Sequence, residues 1–297
     1  MLKKNKNLIT LTCDVSTSAG LDRYRKILPN QYVDLGIAEQ NMIGVAAGLA
    51  SEGYKVVTTT FAPFQTMRCC EQIKVNLGYM KQNVCTVGIA SGLALGTLGY
   101  THCCIEDLSI MRSIPGIVVI SPADSLETIK AFQAAVVLQK PSYIRLTGTA
   151  NNSIIYNNDY DFKIGKSIKL KDGNDIVIFS TGSILKECLE ASKILEQKKI
   201  SARVINMHTI KPIDKEEILK ACDTNLIVSV EEHNIIGGLG AAIAEYKSTI
   251  KNSPPQLFLG IKDYYSKGGS YNFLKEKHGL TKEKIVQDIL KKMNIDE

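Results

Sequence analysis

Short runs of apolar and β-branched residues alternate with longer segments whose apolar positions recur every three to four residues, from one end of the chain to the other. LITLTCDV (Leu8–Val15), KVVTTTF (Lys55–Phe61), NVCTVGIA (Asn83–Ala90), GIVVISP (Gly116–Pro122) and SYIRLTG (Ser142–Gly148) predict strands. Between them the pattern predicts helices over Ile37–Gly53, Phe64–Tyr79, Glu106–Arg112 and Ser125–Leu138. From Thr149 to Asp172 the chain turns polar and loses its period. The alternation restarts at DIVIFSTG (Asp175–Gly182), followed by a helix with Leu185, Cys188, Leu189, Ser192 and Leu195 on one face. ARVINM, KEEILKAC, NLIVSVEE and LGAAIAEYKSTI continue it as strand, helix, strand and helix. Such a pattern predicts an α/β protein of two consecutive parallel-sheet domains, residues 1–155 and 173–297, joined by a linker over 156–172.

Composition changes this picture little and narrows the function. A chain of 297 residues, 44% hydrophobic and 22% charged, is long enough for two domains with real cores. No apolar run reaches bilayer length, and MLKKNKNLITLTCD has too short an apolar segment for a secretory signal, so a cytoplasmic protein without a membrane partner is expected. The net charge of +6 comes from lysines such as Lys3–Lys6 that are interleaved with apolar helical positions. They read as solvated faces rather than a nucleic-acid stripe, so no nucleic-acid partner is expected. The eight cysteines include the pairs Cys69-Cys70 and Cys103-Cys104 but no CxxC spacing and no histidine at ligand distance; reduced, idle thiols and no metal site follow.

The stretch VDLGIAEQNMIG (Val33–Gly44) sets one acid, Glu39, among small, apolar and amide residues. A first-turn glutamate usually faces the positive end of the helix dipole, for about 0.3 to 1 kcal/mol. Here the next strand ends in TFAPF, which sets Phe61 and Phe64 at the carboxyl edge of the sheet, where open α/β sheets bind their ligands. Flanked by Ile37, Ala38, Met42 and Ile43, the acid should be desolvated.

DLGIAEQNMIGVAAGLASEGYKVVTTTFAPF, EQIK, GYTH, IEDLSIMRSIPGIVVISPAD and PSYIRL resemble the pyrimidine-binding domain of transketolase, and EEHNIIGGLGAAIAE and GLTKEKI its C-terminal domain. In order and coverage the chain resembles the C-terminal subunit of split transketolases. The resemblance implies a pyrimidine-binding fold for thiamine diphosphate followed by a transketolase C-terminal-like domain. It also implies a transferase that moves a two-carbon ketol unit between sugars. Glu39 would bond a ring nitrogen of the cofactor and activate it, Phe64 would stack on the ring, and Phe61 and Met67 would wall it. His102, in GYTH, would contact substrate or transfer a proton; a lone histidine beside an apolar segment is otherwise a structural residue.

Ser18, Arg68 and Arg145 compete as ligands of a substrate phosphate. Ser18 and Arg145 lie near family positions, and Arg68 matches the related deoxyxylulose-phosphate synthases; each also reads as a surface or ion-pair residue. The loop SGLALGTLGYTH departs from the family: Leu98 stands where an aspartate commonly contacts a sugar hydroxyl, Cys103 replaces a glutamine, and Ala90 and Ser91 fill the region of a loop histidine. Loss of a hydroxyl-binding group redirects specificity, so a deoxy or otherwise modified sugar is expected.

No GDG-to-Asn motif occurs, so Mg2+ and the diphosphate are expected on an N-terminal partner subunit. Two copies of each chain, self-associated through the pyrimidine-binding domain, form the simplest assembly. Two competing readings are the beta subunit of a 2-oxoacid dehydrogenase and a non-catalytic paralogue that binds a partner. GGLG (Gly237–Gly240) lacks nucleotide-loop spacing, and His208, His233 and His278 read as structural, His233 being the one worth testing.

Overall fold

The computed structural model describes residues 7–149 and 152–295; Lys3–Lys6, and Ala150 and Asn151 in the polar stretch after Thr149, lie outside them. The first half runs β1 (Leu8–Thr12), α1 (Asp22–Ile27), β2 (Tyr32–Asp34), α2 (Glu39–Ser51), β3 (Lys55–Phe61), α3 (Ala62–Gln65), α4 (Cys70–Gln72), β4 (Val84–Ser91), α5 (Asp107–Ser113), β5 (Val118–Ile120), α6 (Ser125–Val137) and β6 (Ser142–Thr147). The second runs β7 (Ile168–Lys171), β8 (Ile176–Ser180), α7 (Leu185–Gln197), β9 (Ala202–Asn206), β10 (Thr209–Lys211), α8 (Lys215–Ala221), β11 (Leu226–Asn234), α9 (Leu239–Lys247), β12 (Gln256–Ile261), α10 (Tyr271–Lys277) and α11 (Lys282–Met293). Among the described residues no helix is long and apolar enough to cross a membrane.

β3 is buried along nearly its whole length, and β8 throughout, which is what β-branched runs without alternation provide in a sheet covered on both faces. The strands form a seven-stranded sheet in the order β10-β5-β6-β4-β3-β1-β2 and a five-stranded sheet in the order β12-β11-β8-β9-β7. Both are parallel inside, as the alternation predicts, but each carries one antiparallel edge, β10 against β5 and β7 against β9. The sheets are therefore mixed. Only Met207 and His208 separate β9 from β10, far fewer residues than a parallel crossover needs, so the chain leaves one sheet and enters the other reversed. β7 lies inside the segment read as linker.

The two halves share a core. Met42, Ile43 and Ala46 of α2 belong to one buried cluster with Phe179 of β8, Ile205 of β9, Ile210 of β10 and Leu239 and Ile243 of α9. The helix expected over Phe64–Tyr79 is broken. Thr66 turns its hydroxyl back onto the Ala62 carbonyl at 2.7 Å, which competes with helix propagation, and the chain resumes as α4 and a π-helical turn over Ile73–Tyr79. The break places Phe64 and Arg68 on a turn at the sheet's carboxyl edge.

Candidate functional site

Four chain segments meet at that edge. The loop after β2 delivers Glu39 as the first residue of α2. Asp34 fixes this loop, its Oδ1 accepting from the backbone N–H of Asp14 at 2.9 Å and of Gly36 at 3.1 Å, with Gly36 at φ +66°, a left-handed backbone that favours glycine. Glu39 is 4% exposed, resting on Met42 and Ile43, both fully buried. Ile37 does not shield it, being 78% exposed.

Arg68 crosses from the broken helix to this acid. Its Nη1 donates to Glu39 Oε1 at 2.9 Å, and its Cζ lies 3.9 Å over the centre of the Phe64 ring. The carbonyl of Arg68 accepts from Gln40 Nε2 at 3.1 Å, so α2 holds both ends of the residue. Phe61, ending β3, meets Phe64 edge-on with centroids 6.3 Å apart. His102 completes an aromatic corner, 6.3 Å from Phe61 and 5.4 Å from Phe64, its Nδ1 3.0 Å from the Thr101 hydroxyl. Beneath the acid, burial pushes the Cys13 thiol up to about 11 and the Cys69 thiol up to about 12, with the Glu39 charge adding to both. Both thiols are packing groups rather than nucleophiles.

The glycine loop that carries His102 leans on the second half of the chain. The Gly269 N–H donates to the Gly96 carbonyl at 2.9 Å, and a Cβ on Gly96 would come within 2.2 Å of Leu274. Tyr100 Oη lies 3.0 Å from Ser266 Oγ and 2.9 Å from His278 Nε2. Tyr265 donates to Glu106 at 2.9 Å and packs on Tyr100. Sequence reasoning missed this brace, because no local pattern announces a contact 178 residues apart.

Glu39, Phe61, Phe64, Arg68 and His102 thus share one site. Met67 stands beside Arg68 on the same turn, about half exposed, and Leu98 is 55% exposed on the glycine loop, its carbonyl accepting from Thr101. Ser18 is exposed in the turn after β1, and none of the described contacts joins it to the cluster.

Arg145 is elsewhere, and its reading as a phosphate ligand is corrected. It is fully buried, its Nε 3.0 and 2.9 Å from the two Asp107 oxygens and its Nη2 2.8 Å from the Glu232 carbonyl. Burial works against its charge, but Asp107 foremost, with Tyr143 and Glu232, carries it above its ordinary value. His233, also buried, accepts from the Leu108 N–H at 3.2 Å, and burial pulls it down to about 4. It is a neutral bridge between the halves. The GGLG turn holds an internal anion: Glu231 accepts from the N–H groups of Leu239 at 2.6 Å and Gly240 at 2.9 Å, filling the start of α9.

This arrangement is shared with known proteins. Residues 1–151 match the transketolase pyrimidine-binding domain and residues 165–285 the transketolase C-terminal domain. One of the two chains of a split apulose-4-phosphate transketolase from Phocaeicola vulgatus is 37% identical over 98% of this chain and 93% of its own length. The 6-deoxy-6-sulfo-D-fructose transketolase subunit of a Clostridium species is 38% identical over 96% of this chain and 88% of its own. A solved chain described as a split gene transketolase, inactive beta4 tetramer, superposes with a TM-score of 0.90 at 34% identity, covering 99% of this chain and 95% of that one. The Campylobacter jejuni transketolase shares the fold at a TM-score of 0.80 and 21% identity, this chain matching 44% of its length.

Proposed function

The chain belongs to the transketolase family, and from that premise we propose that it is the pyrimidine-side subunit of a split, thiamine diphosphate-dependent transketolase-like enzyme. The reaction is transfer of a two-carbon ketol unit from a ketose to an aldose. The observation that carries this reading is the convergence of Glu39, Phe64, Phe61 and His102 on one sheet edge with Arg68 between them.

The site fits an aminopyrimidine. The Arg68 guanidinium is a flat group bearing N–H donors, and it stands in for such a ring, stacked on Phe64 while donating to Glu39. When bound, thiamine diphosphate supplies the carbon nucleophile and electron sink. Glu39, buried and fixed by α2, holds the hydrogen bond to a ring nitrogen and so orients the ring. Phe64 gives the stacking face, Phe61 closes one side, and Met67 covers the rim with a pliable thioether. His102 faces the substrate and exchanges a proton or hydrogen bond with its hydroxyls. Leu98, an apolar side chain at the mouth, disfavours a sugar hydroxyl that wants a carboxylate partner. Arg68 and Ser18 remain the groups for an anionic end of the substrate.

Mg2+ and the diphosphate fall to an N-terminal partner subunit, with two copies of each chain joined through the pyrimidine-binding domains. The solved neighbour's description as an inactive beta4 tetramer supports both the self-association and the need for a partner. Relatives named for apulose-4-phosphate and 6-deoxy-6-sulfo-D-fructose support an anionic, non-standard ketose as donor.

The test is reconstitution with the N-terminal subunit and an assay of ketol transfer. Glu39→Gln is expected to lower kcat at least a hundredfold while the chain still folds and assembles. Unchanged transfer by Glu39→Gln, or decarboxylation of pyruvate in place of ketol transfer, would overturn the reading.

A further inference from the structure

One side chain takes both groups that the proposed cofactor ring would use. The same Arg68 guanidinium that donates to Glu39 at 2.9 Å also covers the Phe64 face at 3.9 Å. An aromatic ligand that stacks on Phe64 and donates to Glu39 has to displace it from both. Resting on the proposed function, we infer that Arg68 is a placeholder: it keeps the pyrimidine pocket open and its acid paired, and is exchanged for the ring when the cofactor binds.

Three features make the exchange workable. The Glu39 side chain is 5% exposed, and among the described residues Arg68 is its one ion-pair partner, so removing the guanidinium without replacement leaves a buried unpaired carboxylate. The ring replaces it donor for donor, and the acid is never stranded. The Arg68 side chain is 42% exposed, which gives it a route to solvent without disturbing the core. Its backbone stays fixed through Gln40, so only the side chain has to swing. A guanidinium released in this way remains at the mouth of the site. Cofactor binding therefore precedes any use of Arg68 by an anionic substrate.

The contacts to be broken are one half-exposed ion pair and one stacked cation, a modest competitor for a bound ring. The experiment titrates the full chain with thiamine, and separately with 4-amino-2-methylpyrimidine, following saturation-transfer NMR and calorimetry. Arg68→Met keeps the apolar stem and removes the competing group, and is expected to bind both probes about tenfold more tightly than the wild type. Arg68→Lys, which keeps the charge but not the planar stack, is expected to fall between them and serves if Arg68→Met does not fold. In the wild type the Arg68 side-chain N–H resonances should shift as the probe is added. Equal or weaker binding by both variants, with binding still lost in Glu39→Gln, would overturn the placeholder and leave the site reading standing. Absence of saturable binding in wild type and variants alike would overturn both.

Discussion

Arg145 and Asp107 form a fully buried ion pair in which Nε reaches both carboxylate oxygens, at 3.0 and 2.9 Å, while Tyr143 donates to the same carboxylate at 2.7 Å. The pair joins β6 to α5, and through Arg145 Nη2 and the Glu232 carbonyl it joins the first half of the chain to the second. Breaking one partner strands the other charge in the interior. Arg145→Met is expected to cost about 3 to 5 kcal/mol of folding stability. Urea unfolding of the wild type and of Arg145→Met measures it. A loss below about 1 kcal/mol would show that the pair is not what ties the halves together.

A milder change tests the brace on the glycine loop. Tyr100→Phe removes the hydroxyl shared with Ser266 and His278 and keeps the ring packed on Tyr265. One partly buried hydrogen-bond group is worth about 1 kcal/mol, so the global melting point should move little. Amide exchange over residues 96–102 is expected to accelerate severalfold, since these residues depend on the contact for their position. In the reconstituted enzyme kcat should fall while cofactor affinity holds, because His102 is displaced and Glu39 is not. Exchange confined to the wild-type pattern would rule the brace out.

How much of this was legible beforehand differs by element. The interior strands and α2 could be read because β-branched runs such as KVVTTTF have few alternatives. Glu39, Phe61, Phe64 and His102 could be placed together because each closes or opens an element at one sheet edge, which topology brings into register. The edge strands β7 and β10 could not, being only four and three residues long and set by contacts across the chain rather than by local pattern. Arg145 misled for a related reason. An arginine inside YIRL sits on a buried strand, and the acid that neutralises it, Asp107, is 38 residues away and gives no local sign of the pairing. The break at Thr66, which puts Arg68 on Glu39, depends on a hydroxyl turned back onto a carbonyl, an option that every threonine has and few take.

His208 sets a pH dependence whose sign can be worked out. It is buried, stacked on Phe162 at 4.2 Å, with its Nδ1 2.9 Å from the Thr209 hydroxyl. Burial pulls it down to about 4, with Asp214 working the other way. A depressed histidine contributes stability that is complete above its ordinary value near 6.5 and is lost as pH falls through about 4. From neutral pH to pH 4 the loss is roughly 3 kcal/mol. Glu127, Glu231 and Glu232, all pushed up by burial, act in the opposite direction, so the test is a difference. Urea unfolding at several pH values is expected to show the wild type losing stability relative to His208→Gln as the medium is acidified. Parallel profiles would mean that the imidazole is already charged in the fold.

Leu98 separates the proposed substrate class from the ordinary one. It is 55% exposed on the one-turn helix over Gly96–Leu98, so replacing it leaves the core untouched and should alter stability by less than about 0.5 kcal/mol. A carboxylate placed there gains a partner only when the sugar offers a hydroxyl, and sites built to bond a hydroxyl discriminate strongly against analogues without one. With Leu98 in place, the reconstituted enzyme should use xylulose 5-phosphate and ribose 5-phosphate poorly and a deoxy or sulfo sugar well. Leu98→Asp is expected to raise kcat/KM for xylulose 5-phosphate by about tenfold or more and to lower it for the modified sugar. Measuring both donors with both proteins decides the matter. Turnover of xylulose 5-phosphate by the unaltered enzyme at the rate of an ordinary transketolase would remove Leu98 as the source of specificity, since the apolar side chain would then exclude nothing.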